Sequence, residues 1–205
     1  MRLPNSEHTA RPWRIHELTT DFNLEDVWDL PTPGGPDELP RLVSQIFSSA
    51  FPDNAPVVVR ALWNARMKVG EVLGWDRPEA SVGARVLSLR DRLPADLPAA
   101  STGPEFAPFV PLYQLDDEWA AELANRTVHA VMHLGWVPDE AGAYRGRMAV
   151  LVKPNGRLGV AYMALIKPFR YAIVYPAFLR SIERRWQAGT RTQSSVPGTA
   201  GIPPT

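Results

Sequence analysis

TVHAVMHLGWVPDEAGAYRGRMAVLVKPNGRLGVAYMALI, residues Thr127–Ile166, contains three runs in which apolar and polar positions alternate. A period of two puts every second side chain on one face of a pleated sheet, and it predicts strands at Thr127–Val137, Tyr144–Lys153 and Leu158–Ile166. Between the last two lies Pro154-Asn155-Gly156-Arg157. Asn-Gly is the strongest short-range hairpin signal, because a type I′ turn needs positive φ at both central residues. A two-residue hairpin there faces Val152 with Gly159, Val150 with Ala161 and Met148 with Met163. Pairing Val137 with Ala143 across the loop Pro138–Gly142 then sets Val128, Ala130, Met132, Leu134 and Trp136 beside Tyr144, Met148, Val150 and Val152. One face is almost wholly apolar; the other carries Arg145, Arg147 and Lys153 and, outward-facing among them, His129 and His133.

Working outward, Phe109–Leu115 and Trp119–Leu123 read as two earlier strands joined at Asp116-Asp117. The apolar face needs a cover, and PFRYAIVYPAFLRSIERRW, Pro168–Trp186, supplies one: Tyr171, Val174, Tyr175, Phe178 and Ile182 recur at helical spacing. Pro176 removes a helical hydrogen bond and predicts a kink near Tyr175. Two more helices are predicted upstream, one in PDELPRLVSQIFSSA from Pro36 and one from Pro56 to Gly74. Trp13–Leu18 reads as a short strand, Asp21 as the cap of a helical turn carrying Phe22, Leu24, Val27 and Trp28, and Arg85–Leu89 as a strand inside the connector Trp75–Thr102. The fold class is therefore α+β, a curved antiparallel sheet wrapped around a long, Pro-kinked C-terminal helix with two additional helices in the N-terminal third. A single domain spans residues 12–187, between a flexible N-terminus at 1–11 and a disordered tail at 188–205 that is small, polar and proline-rich.

Composition narrows the function classes. The 22 basic and 22 acidic residues cancel, so no global field draws in nucleic acid. The absence of cysteine removes disulfides, thiolate nucleophiles and cysteine metal sites, and fits a cytoplasmic protein. No leader-like apolar segment opens the chain, and no apolar run is long enough to span a bilayer, so stable membrane insertion is not expected. Nucleotide-binding, serine-hydrolase and zincin motifs are missing, and no cofactor is expected.

His129 and His133 share a strand face but lie roughly 13 Å apart, too far to share a metal. They read as surface histidines, while His8 and His16 have no visible partners. Asp116, Asp117, Glu118 and Glu122 read as a charged turn, and Asp21, Glu25, Asp26 and Asp29 as a cap and solvated helix face; no metal site is expected. Lys167, Arg170, Arg180, Arg184 and Arg185, with Phe169 and Trp186, admit a membrane-surface reading, which competes with a core role for the same aromatics.

The strands ending in VAYMALIKPFRYAIVYPAFLRSIERRW resemble the end of START-like (SRPBCC) domains, a helix-grip superfamily that includes polyketide cyclases and lipid-transfer domains. DFNLEDVWDLPTPGG, RTVHAVMHLGW and IKPFRYAIVYP are similar to an uncharacterised bacterial family of unknown function within it, some of whose relatives are fused behind NAD-binding reductase domains. The resemblance implies binding of a small hydrophobic or aromatic molecule between sheet and C-terminal helix. Met132, Trp136, Tyr144, Met148, Val150, Ala161, Met163, Tyr175 and Phe178 are the expected lining. The alternatives are a cyclase or dehydratase using Tyr144, Tyr175 or Glu122 as proton donor, and an interaction or membrane-surface module partnering a reductase.

Overall fold

The computed structural model describes residues 1–47, 81–83, 86–100, 106, 108–139 and 141–194, and six helical positions at 60, 61, 64, 68, 70 and 71. The chain is α+β, an open six-stranded antiparallel sheet with a long C-terminal helix and further helices in its N-terminal part. The strands are β1 (Arg2–Leu3), β2 (Asn23–Asp29), β3 (Val110–Gln114), β4 (Glu118–Ala124), β5 (Val128–Pro138) and β6 (Tyr144–Pro154), in the order β1-β2-β6-β5-β4-β3. Four of the strands read from the period of two are present. Val137 pairs with Arg145 rather than Ala143, a shift of two that preserves parity, so the two faces carry the residues expected.

Asn155-Gly156 does not make a hairpin. Asn155 is spent otherwise: its N–H donates to Thr127 O at 2.7 Å and its side-chain amide to Asn125 O at 2.8 Å, tying the end of β6 to the β4–β5 turn. Only Gly156 takes positive φ, at 68°, and from it the chain enters a helix, α4 (Gly156–Phe169), where a strand was expected. Gly159 permits the seating, because a Cβ there would lie 2.0 Å from Thr127 O. The predicted pairings of Gly159, Ala161 and Met163 with β6 therefore do not exist. β2 takes that place instead, aligning Trp28 with Met148 and Asp26 with Val150.

β2 itself replaces the helical turn predicted at 22–28. A buried aspartate, Asp26, interrupts its apolar alternation and hides the strand in the sequence. Helix α4 runs through a π turn, Arg170–Val174, into α5 (Tyr175–Ser194). The wide turn lies immediately before Pro176, which has no N–H to give, and it is the local form that the predicted irregularity takes. Tyr175, Ile182 and Trp186 of α5 pack on Trp28, Trp136 and Met148 of the apolar sheet face together with α3 (Leu39–Phe47), the first of the predicted upstream helices. Of the second, only the six helical positions are described. Residues 188–194, expected to open a disordered tail, continue α5 to Ser194, and the rest of that tail lies outside the described residues.

The opposite sheet face is covered as well. Residues 1–11, expected to be flexible, carry β1 and α1 (Ser6–Thr9), and Trp13–Leu18, read as a strand, contains α2 (Ile15–Leu18). With a 3₁₀ turn at Leu89–Arg92, which begins at the last residue of the strand expected at Arg85–Leu89, these segments pack Trp13, Ile15, Leu18, Leu89 and Leu97 on Val27, Val131, Ala149 and Leu151. The sheet is thus the middle of three layers.

Candidate functional site

The second face changes the meaning of its polar residues. His129 and His133 on β5 and Glu118 and Glu122 on β4 are all buried, not surface groups or a charged turn. In the β4–β5 register Glu118 sits opposite Gly135 and Glu122 opposite Val131, so each carboxylate is the diagonal neighbour of one imidazole. His133 Nε2 lies 2.9 Å from Glu118 and His129 Nε2 lies 2.8 Å from Glu122. Two parallel His–Glu pairs result, one strand spacing of four apart.

The Glu118 pair is the inner end of a chain containing the other two histidines. Glu118 accepts from the Arg14 backbone N–H at 2.9 Å and from the Tyr113 hydroxyl at 3.0 Å, so His133 Nε2 must donate as well. That leaves His133 Nδ1 to accept from His8 Nε2 at 3.2 Å, and His8 Nδ1 to accept from His16 Nε2 at 3.1 Å. One carboxylate thereby sets the tautomer of three imidazoles. Trp13 lies over this chain, its ring 5.2 Å from that of His133, and a Cβ on Gly135 would meet it at 2.8 Å. Burial, then the neighbouring His133 and His16, pushes His8 down to about 3, and burial chiefly lowers His16 too. For Glu118, burial works to raise the carboxyl, but the His133 hydrogen bond and charge, with the Arg14 and Tyr113 donors, hold it below the usual carboxylate range.

The Glu122 pair opens on a cavity. A cleft of about 270 Å³ is walled by Phe22, Val86, Leu87 and Leu89, with His129 among its lining and Arg92, Asn155 and the Asp21–Lys153 ion pair (2.6 Å) around it. Behind His129, Glu122 accepts from the Leu89 N–H at 3.1 Å and from Ser88 Oγ at 2.5 Å; Ser88 Oγ in turn accepts from Arg90 N–H, which fixes the hydroxyl proton on Glu122. With every other contact to Glu122 a donor, His129 Nε2 carries the proton and Nδ1 the lone pair. Nδ1 has no hydrogen-bond partner among the described residues. Phe22 meets the imidazole edge to face at 4.9 Å. Among the described residues no group of three or more His, Asp or Glu could hold a metal ion.

The lining expected beneath the C-terminal helix is partly assembled. Trp136, Met148 and Tyr175 are buried in one cluster with Met132, Tyr144 and Phe178 against it, and Met163 and Val150 join a second cluster with Val128 and Val152. Ala161 is exposed, because its segment is helical and turns it to solvent. The Tyr175 hydroxyl donates to buried Asp26 at 2.7 Å, and Arg170 of the π turn reaches the same carboxylate at 2.8 Å, as does Trp28 Nε1 at 3.0 Å. Asp26 is thus a buried ion-pair partner and not part of a solvated face. Trp186, one anchor of the membrane-surface reading, is buried, with its Nε1 donating to Pro33 O at 2.8 Å. No helix among the described residues is long and apolar enough to cross a membrane.

Glu118, read only as part of a charged turn, and Glu122, weighed beyond that only as a proton donor, had a signal for their pairing in the sequence. Their spacing of four on one strand matches that of His129 and His133 on the next, which in the right register pairs both couples at once. His8 and His16 lie in four-residue helices without periodicity, and nothing local marked them. Neither the curated proteins nor the solved structures contain a match to this chain. A family model does match, over residues 18–177, a span that includes β2 to β6, the π turn and both His–Glu pairs. On that coverage the chain belongs to the family described as "Protein of unknown function (DUF2867)".

Proposed function

We propose that this protein binds a small, partly aromatic molecule in the cleft on the histidine face of its sheet. The observation that carries this is the His129 imidazole, buried on an apolar-walled cleft with its proton held by Glu122 and its lone pair left over. Such a nitrogen calls for a ligand with an O–H or N–H group. At about 270 Å³ the cleft suits one or two rings and lies just under the roughly 300–1,000 Å³ of pockets for drug-sized ligands. Arg92, exposed and forming no ion pair with a described residue, favours a ligand that is anionic at its outer end.

A second reading places the ligand between sheet and C-terminal helix. The strand order, with β6 handing directly to the covering helix, is compatible with a helix-grip fold and supports a START-like relationship. The π turn above the Asp26–Arg170–Tyr175 cluster favours that face, since π turns are frequent at functional sites. Titration with phenol and with 4-hydroxybenzoate, followed by side-chain ¹⁵N shifts of His129 and methyl shifts of Leu89 and Met148, separates the two. Shifts at His129 and Leu89 support the cleft. Shifts confined to Met148 move the site beneath the helix, and no shift at either overturns the cleft reading for this ligand class.

A further inference from the structure

The cleft supplies more than a place to bind. Among its described lining residues there is no serine, threonine or cysteine, and the Lys153 amine is held by Asp21 at 2.6 Å, so His129 has no hydroxyl or thiol nucleophile to activate. Its lone pair nevertheless has the features of a prepared base. The imidazole is 3% exposed, its far nitrogen is tied to a carboxylate that is itself fully buried, and that carboxylate is fixed by a backbone N–H and a hydroxyl. A base so placed acts on a proton that the ligand brings. Arg92 lies on the same cleft, where negative charge left on the ligand would emerge.

We propose that His129 is a general base that removes a proton from a small aromatic or conjugated acid, with Glu122 as its positioning residue and Arg92 receiving the developing anion; this rests on the cleft being the binding site. In the step, the substrate X–H bond breaks and its proton goes to His129 Nδ1. The bonding pair stays on the substrate and delocalises toward Arg92. The imidazolium then returns the proton to another atom of the substrate or to solvent, so no oxidant, metal or second substrate is consumed. Glu122 stabilises the imidazolium and keeps Nδ1 free of its own proton beforehand.

The test uses 5-nitrobenzisoxazole with the full chain. There the base takes the ring C–H proton, the C–H pair completes a nitrile, the N–O bond breaks, and a coloured phenolate leaves with the negative charge. The expected result is turnover above that of equimolar free imidazole, with a rate that follows the neutral fraction of His129 read from its own ¹⁵N shift. His129→Gln lowers kcat by about 100-fold or more, the usual worth of a positioned base. Arg92→Met, at an exposed site that leaves folding intact, lowers it roughly two- to five-fold. Glu122→Gln can donate to Nε2 and so moves the His129 proton to Nδ1; the ¹⁵N spectrum shows the changed tautomer and the rate falls with it, a readout that a purely structural role would not move. A wild-type rate no faster than free imidazole, or equal to that of His129→Gln, overturns the proposal. If the probe shifts His129 and Leu89 but is not turned over, the base role fails while the binding site stands. If it neither binds nor reacts, the cleft reading fails and this inference with it.

Discussion

Acidification from pH 7.5 to pH 5 should destabilise this protein through the buried histidine chain, and His8 sets the size of the effect. The ring of His8 on α1 faces His16 from α2, His133 from β5 and the Trp13 ring, while Glu118 lies one imidazole further in and Arg147 of β6 holds the adjacent Glu7. Its folded value is pushed down to about 3 from an ordinary 6.5, so between those limits the unfolded chain binds a proton that the folded chain refuses. Stability is therefore complete above pH 6.5 and is lost as pH falls below it. At pH 5 the gap of one and a half units corresponds to about 2 kcal/mol, at about 1.4 kcal/mol per unit. His16, also lowered, adds in the same direction, and Glu118, held below the usual carboxylate range, adds its own loss only at still lower pH. Urea unfolding followed by tryptophan fluorescence reads this as a fall of roughly 1 M in midpoint, for a slope near 2 kcal/mol/M. His8→Phe should be less stable at pH 7.5 but should lose less between pH 7.5 and 5. An unchanged pH slope in that variant, or a wild type that gains stability on acidification, would mean that His8 does not carry the effect.

Two further predictions concern the helix side of the sheet. Asp26→Ala strands the largely buried Arg170 guanidinium and should cost roughly 3–5 kcal/mol by urea unfolding, whereas Asp26→Leu combined with Arg170→Met should cost less than the single change; equal losses would show that the pair is not coupled. Gly159→Ala should destabilise by roughly 1–3 kcal/mol despite alanine's better helix propensity, because its Cβ meets Thr127 O, and a raised melting temperature in that variant would mean α4 does not sit against the β4–β5 turn.

What could be read in advance followed from how local the signal is. The strands from Val110 to Lys153 declare themselves by a period of two, and a register error of two between β5 and β6 left every side chain on its proper face. The C-terminal cover was legible in Tyr175 and Ile182. The failures came where a long-range partner overrides local preference. Asn155 is claimed by Thr127 and Asn125, so a turn signal became a helix start. Asp26 is claimed by Arg170 and Tyr175, so a strand looked like a capped helix. His129 and His133 were placed on the correct face but read as solvated, because the layer over them comes from segments too short to show a period. The candidate site lies under that layer and was the least legible part, although the matched spacing of Glu118 with Glu122 and of His133 with His129 already contained its pairing.

A crystal structure of the protein purified from its own host, read for density on the two sheet faces, decides which face holds the ligand. The expected result is a small molecule against His129 between Phe22 and Leu89, with a donor atom within hydrogen-bond distance of Nδ1. Density between Met148 and Tyr175 beneath the C-terminal helix, with nothing bound beside His129, would contradict it.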